Sequence, residues 1–193
     1  MKKRTAFLGA ILSLIPLGQP LIIKTGVVLS TTGLILSVPE KVNAESADFY
    51  FDRAFEKGKK GDHYGAISDF SKVIEMEPNN STAFYNRGWN KGNLKDYYGE
   101  ISDYNKAIEI NPKYTNAYYN RGVAKRNLED YYGAISDYNK AIEIDPIDKD
   151  SYINRSIAKE KIGDIKGACL DAKKAVSLGD TASDNQTWIK NNC

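Results

Sequence analysis

YNRGVAKRNLEDYYGAISDYNKAIEIDP, Tyr119–Pro146, is almost a copy of what precedes it: Tyr85–Pro112 reads YNRGWNKGNLKDYYGEISDYNKAIEINP. Aligned over a full period, Ser81–Tyr114 and Thr115–Asp148 are identical at 23 of 34 positions. A more diverged copy fills Ala47–Asn80 and another fills Lys149–Asp180. A fixed period of this length marks a solenoid, in which each unit buries its apolar face against the next. Proteins built this way work mainly as binding surfaces.

Each unit reads as helix–turn–helix. In the third, Ala117, Tyr118, Gly122, Val123 and Leu128 fall at helical spacing and predict a first helix over Asn116–Leu128. Asp130 stands where an N-cap belongs. Ile135, Tyr138, Ala141 and Ile142 share one face of a second helix, Tyr132–Ile144, which Pro146 ends. Asp62, Asp96 and Asp164 repeat the cap, and Pro78 and Pro112 repeat the stop. The last copy has Asp180 in place of the proline, so the array is ending. Gly88 and Gly122 lie in helix interiors, where glycine costs up to ~1 kcal/mol against alanine. The expected return is close approach of a paired helix carrying Tyr104 and Tyr138. Tyr97, Tyr98, Tyr131 and Tyr132 are expected to pack within and between units. Asp69, Asp103 and Asp137 are expected on a solvated face. Ser183–Asn192 is expected to close the array as a final helix, laying Trp188 and Ile189 against the fourth unit.

These landmarks resemble the tetratricopeptide repeat (TPR) family over Ala47–Asp180. An aromatic opens the first helix at Tyr50, Phe84, Tyr118 and Tyr152, with a small residue four later at Ala54, Gly88, Gly122 and Ser156. The second helix carries Ala66, Ala134 and Ala168, broken by Glu100, then Phe70, Tyr104 and Tyr138, replaced by Ala172. Small residues recur at Ala107, Ala141 and Ala175, with Val73 in the first unit. The resemblance implies an all-α fold: a right-handed superhelical solenoid of about four units (47–80, 81–114, 115–148, 149–180) plus a C-terminal capping helix within 181–193. It also implies that first helices line a concave groove. The matching inward positions are Phe51, Phe55, Tyr85, Trp89, Tyr119 and Val123, with Ile153 and Ile157 beyond. Beside them runs a ladder of Asn86, Asn120 and Asn154, with Asn93 and Asn127 as further amides. An amide both donates and accepts, so such a ladder can bond an extended peptide backbone of any sequence. Flanking aromatics would supply apolar contact. The alternative is that the asparagines bond between repeats and the aromatics are covered by the chain's own ends. The family's clamp for acidic chaperone tails is not expected, because Phe51 and Phe55 occupy its first-helix sites and Asn116 and Asn120 its third-helix sites.

The first 44 residues are different material. Lys2-Lys3-Arg4 precedes an apolar run over Ala6–Ile23, and a second follows over Gly26–Val38. Val42-Asn43-Ala44 then offers a cleavage site at Ala44–Glu45. This reads as a signal peptide. The same residues are long enough to stay as a membrane anchor, or could fold as a short hairpin at Pro16, Gly18 and Pro20. The expected location is outside the cytoplasmic membrane, with membrane contact only through 1–44 if they are retained. This leader holds five of the 27 basic residues and one of the 25 acidic, leaving 22 against 24 in the remainder. That balance gives no nucleic-acid footprint.

Nothing indicates an enzyme, a cofactor or a metal centre. His63 is the one histidine, in the turn slot held elsewhere by Tyr97 and Tyr131, and reads as a tolerated turn residue. There is no phosphate loop and no nucleophile matched with a base. Cys169 and Cys193 are expected to pair, since an exported chain meets an oxidising compartment. Cys169 lies eight residues before Ser177, about 12 Å of helix, and Cys193 nine after Asp184, about 13.5 Å. An antiparallel return would bring the sulfurs level; two unrelated thiols are the alternative. The function expected is an exported adaptor binding an extended segment of a protein partner. A self-associating envelope protein is the rival.

Overall fold

The computed structural model describes residues 45–193. The leader and its cleavage after Ala44 lie outside the described residues. Nine helices are described: α1 (Ala47–Lys59), α2 (His63–Met76), α3 (Ser81–Asn93), α4 (Tyr97–Ile110), α5 (Thr115–Asn127), α6 (Tyr131–Ile144), α7 (Lys149–Lys161), α8 (Ile165–Ser177) and α9 (Ser183–Asn192). The predicted third-unit helices are met within one residue at each end. None of the described helices is long and apolar enough to cross a membrane.

Local chemistry accounts for the start of each second helix, α2, α4, α6 and α8. Asp62, Asp96, Asp130 and Asp164 accept a hydrogen bond from the backbone N–H of the glycine three residues on, at 2.9 to 3.0 Å. That residue is glycine for a steric reason. A Cβ at Gly65, Gly99, Gly133 or Gly167 would lie 2.0 to 2.1 Å from the capping carboxylate. The turn before the cap needs a left-handed residue. Gly61 and Gly163 provide it freely, whereas Lys95 and Glu129 adopt φ 62° with a side chain attached.

Successive helices pack as antiparallel neighbours. In addition α1 touches α3, α3 touches α5 and α5 touches α7, while α2, α4, α6 and α8 do not meet one another. The first helices are therefore drawn together and the second helices splayed, which curves the stack and places α1, α3, α5 and α7 on its concave side. Phe70, Tyr104 and Tyr138 are fully buried inside their repeats. A Cβ on Gly88 would meet Tyr104 at 3.0 Å, and one on Gly122 would meet Tyr138 at 2.7 Å, so both glycines allow the close approach expected of them.

The aspartates expected on a solvated face are buried instead. Asp69, Asp103, Asp137 and, in the fourth repeat, Asp171 are 2 to 4% exposed. Each is held through two hydrogen bonds by an arginine sixteen residues earlier: Arg53, Arg87, Arg121 and Arg155, at 2.5 to 2.9 Å. A lysine twelve residues earlier completes each cluster, from Lys57 to Lys159, at 2.7 to 2.8 Å. The arginines also reach back to the preceding repeat. Arg87 donates to Ser71, Arg121 to Asn105 and Arg155 to Asn139. The two charged rows lie on facing helices, so desolvation is offset by paired charge-assisted bonds. The reading of the paired tyrosines also divides. Tyr97 and Tyr131 are half-buried, but Tyr98 and Tyr132 are 77% and 74% exposed. One residue further along the helix turns them about 100° away from the packed face.

At the far end α9 packs on α8. Trp188 donates its indole N–H to Glu160 at 2.9 Å. Asp180, in the slot of the missing proline, accepts from the Ala182 backbone and the Asn185 amide. Cys169 and Cys193 are joined, with Cα atoms 5.7 Å apart.

Candidate functional site

The groove helix α3 presents Tyr85 and Trp89, four residues apart, toward α1, which presents Phe55. Between them lies a cavity of about 220 Å³ lined by Phe55, Gly58, Lys59, Phe70, Tyr85, Asn86, Trp89 and Asn90. Its walls are aromatic, and Phe55 and Trp89 remain 46% and 42% exposed. Such a wall suits an apolar side chain arriving from solution. Lys59 places its ammonium over the Phe55 ring, 4.8 Å from the centroid. Four of the groove residues expected from the sequence, Phe55, Tyr85, Asn86 and Trp89, come together here.

The remaining five are placed differently. Phe51 packs edge-on against Phe70, ring centroids 5.4 Å apart. Val123 is half-buried against the cluster of Ala134, Tyr138 and Ala158. Asn120 donates its amide to the Tyr85 hydroxyl at 2.8 Å, one repeat away. Asn154 does the same to Tyr119 at 3.0 Å and also accepts from Arg126. Asn86 donates to Thr82 O in its own helix at 2.8 Å. The amide N–H groups of the ladder are thus engaged within the protein, and Asn120 and Asn154 tie neighbouring repeats together. Burial raises the Tyr85 and Tyr119 phenols above their ordinary value, and the asparagine bonds oppose that shift in part.

Tyr119 lines a second, larger hollow of about 460 Å³ with Asn111, Lys113, Tyr114, Asp145, Asp148 and Asp150. Size does not make it the better site. Asp145 accepts from the Ile147 backbone, while Asp148 accepts from the Asp150 backbone and the Ser151 hydroxyl. Those two carboxylates build a turn and a helix start. Among the described residues no group of His, Cys, Asp and Glu is arranged to hold a metal ion.

The sequence reading did not single out Asn90 and Lys59. Asn90 is 2% exposed, donates to Asn86 O at 2.8 Å and meets His63 Nδ1 at 2.9 Å. His63 opens α2, with its ring edge-on to Trp89 at 5.9 Å, so it is a contact between repeats as well as a turn residue. The signal was available as a departure from the repeat, since Asn90 stands where the other units have Glu56, Ala124 and Ala158.

Comparison with known proteins agrees with this architecture. No curated protein sequence matches the chain significantly. Among solved structures, that of MamA superposes with a TM-score of 0.69 at 23% identity, covering 72% of this chain and 81% of that one. MamA 41-end from Desulfovibrio magneticus RS-1 gives 0.70 at 19%, covering 74% and 81%. The first TPR of Spaghetti (RPAP3), solved bound to the HSP90 peptide SRMEEVD, gives 0.60 at 25%, covering 63% and 97%. Tetratricopeptide repeat profiles match residues 47–80, 81–114 and 115–148, the first three units of the array. With three matched repeats and a fourth helix pair stacked in the same way, the chain belongs to the tetratricopeptide repeat family, whose members serve as protein-interaction scaffolds and are generally not catalytic.

Proposed function

We propose that this protein is an exported scaffold that binds an extended segment of a partner protein along its concave face. The apolar side chain of that segment enters the cavity between α1 and α3. The observation that carries this reading is that cavity: Phe55, Tyr85 and Trp89 converge from two repeats and leave aromatic surface open to solvent. A solenoid core does not need Phe55 and Trp89 exposed, and aromatics in a recess are the side chains that dominate binding energy at interfaces. Among the described residues, the Asn86 and Asn120 side-chain carbonyls accept no intramolecular hydrogen bond, so both can receive a peptide N–H. A peptide-bound relative supports the mode. The occupant differs in chemistry from that acidic peptide, because the first groove helix offers Phe51 and Phe55 where a clamp for carboxylates needs polar and basic groups.

Export accords with the joined Cys169 and Cys193, a pairing that oxidising compartments sustain. In this reading the mature chain begins at Glu45, which N-terminal sequencing of the native protein tests. The groove is tested by affinity capture from the native envelope, comparing the protein with its Trp89→Ala variant. The expected result is a partner retained by the parent and lost by the variant, with helical content unchanged and a melting temperature still well above that of the assay. Equal capture by both places binding elsewhere on the molecule.

A further inference from the structure

Glu100 stands in α4 where the other three repeats bury an alanine: Ala66, Ala134 and Ala168. It is 8% exposed. No cation of the described residues pairs with it; the Tyr104 hydroxyl lies beside it and favours its charged form in part, without completing a hydrogen bond of ordinary geometry. The alanines show that the helix pair packs without a carboxylate here, and burying one unpaired is costly.

The position of that carboxyl group gives it a use. A Cβ built on Gly92 would fall 2.6 Å from its carboxyl carbon and from both oxygens, so the group fills the notch that Gly92 leaves in α3. Gly92 follows Trp89 by three residues and Tyr85 by seven, on one stripe of the helix. Tyr85 and Trp89 line the groove cavity. The acid therefore lies beneath Gly92, which is itself partly exposed and stands one turn along the stripe from Trp89. The third repeat has Arg126 in place of Gly92 and Ala134 in place of Glu100, so the combination of notch and acid is a feature of the second repeat.

We propose that Glu100 is the acceptor for a basic group of the bound segment, a lysine or arginine side chain or an amino terminus, seated at the Gly92 notch beside the apolar residue held in the cavity. The proposal rests on the groove reading given above. It supplies the counter-charge that the protein lacks at this position, and it makes the ligand a segment with a basic residue close to an apolar one.

The test is selection from a phage-displayed random 12-residue peptide library on three proteins: the parent, Glu100→Ala and Trp89→Ala. Alanine is the residue of the other repeats, so the Glu100 variant keeps the fold. The parent is expected to enrich peptides with Lys or Arg at a fixed distance from an aromatic or aliphatic residue. Glu100→Ala should keep the apolar preference and lose the basic one. A selected peptide with its basic residue changed to Met should bind the parent about 10- to 150-fold more weakly and bind Glu100→Ala unchanged. The same basic preference in Glu100→Ala, with enrichment lost in Trp89→Ala, overturns the role of Glu100 and leaves the groove standing. Identical enrichment on the parent and Trp89→Ala, or none on either, overturns the groove reading and this proposal with it.

Discussion

Asp137 is where the polar contacts of the third repeat converge. Two bonds from Arg121 and one contact from Lys125 end on its carboxylate, and all three side chains are mostly buried. Asp137→Ala leaves two cations facing one another with no counter-charge. The expected loss is about 3 kcal/mol, read as a lowered urea midpoint. The corresponding acid in the first repeat titrates accordingly, since hydrogen bonds from Arg53 hold the Asp69 carboxyl below its ordinary value. Its contribution is present above the unfolded pKa and is lost as pH falls through the lower folded one. Glu100 has the opposite sign. Burial pushes its carboxyl up to about 7, so the folded protein keeps a proton that the unfolded chain has released from near pH 4.5. Stability then falls as pH rises from about 4.5 to 7 and levels off beyond. Melting temperatures measured across that window should show this slope in the parent, and Glu100→Ala should reduce it and melt higher at pH 7.5.

At the scale of the element, the helices are set by their ends more than by their middles. The aspartate cap and the glycine three residues on recur in all four second helices because the two need each other sterically. The turn before the cap is less well served. Lys95 and Glu129 hold a left-handed backbone that Gly61 and Gly163 adopt without strain. Glu129→Gly and Lys95→Gly are each expected to stabilise the protein by about 1 kcal/mol, seen as a higher melting temperature with unchanged helical content. Both lie in exposed turns, and neither lines the groove cavity; Glu129, in the third repeat, is the one whose change should leave peptide capture unaffected. These features were legible in the residues themselves, since a cap is a relation between positions three apart. The aspartate clusters were not. They join positions twelve and sixteen apart on facing helices, and an acidic residue at helical spacing reads the same whether it meets water or arginine.

For the molecule as a whole, contacts run between neighbours, so stability should be local. The disulfide joining Cys169 to Cys193 closes a loop over the last repeat and α9 alone. In the loop-closure account a loop of this size contributes on the order of 3 kcal/mol. Reduction should therefore strip amide-exchange protection from α9 and weaken it in α8, while α1 to α6 keep theirs. Uniform loss of protection would mean that the array unfolds as one unit.

The fold class, the repeat boundaries and the closing helix follow from the sequence by itself. Each rests on periodicity, on caps and breakers that act over a few residues, and on the same pattern being written several times. Which polar residues are buried, and which aromatics stay open, was decided by the tertiary structure. Asn120 and Asn154 are separated by 35 residues from the tyrosines they bond, Tyr85 and Tyr119. Phe55 and Trp89 line one cavity only because curvature brings α1 against α3. Glu100 could be seen to break its repeat, but its meaning depends on a glycine in another helix. A repeat states what each unit is; the stacking angle between units, which no single unit encodes, determines where a surface can receive something else.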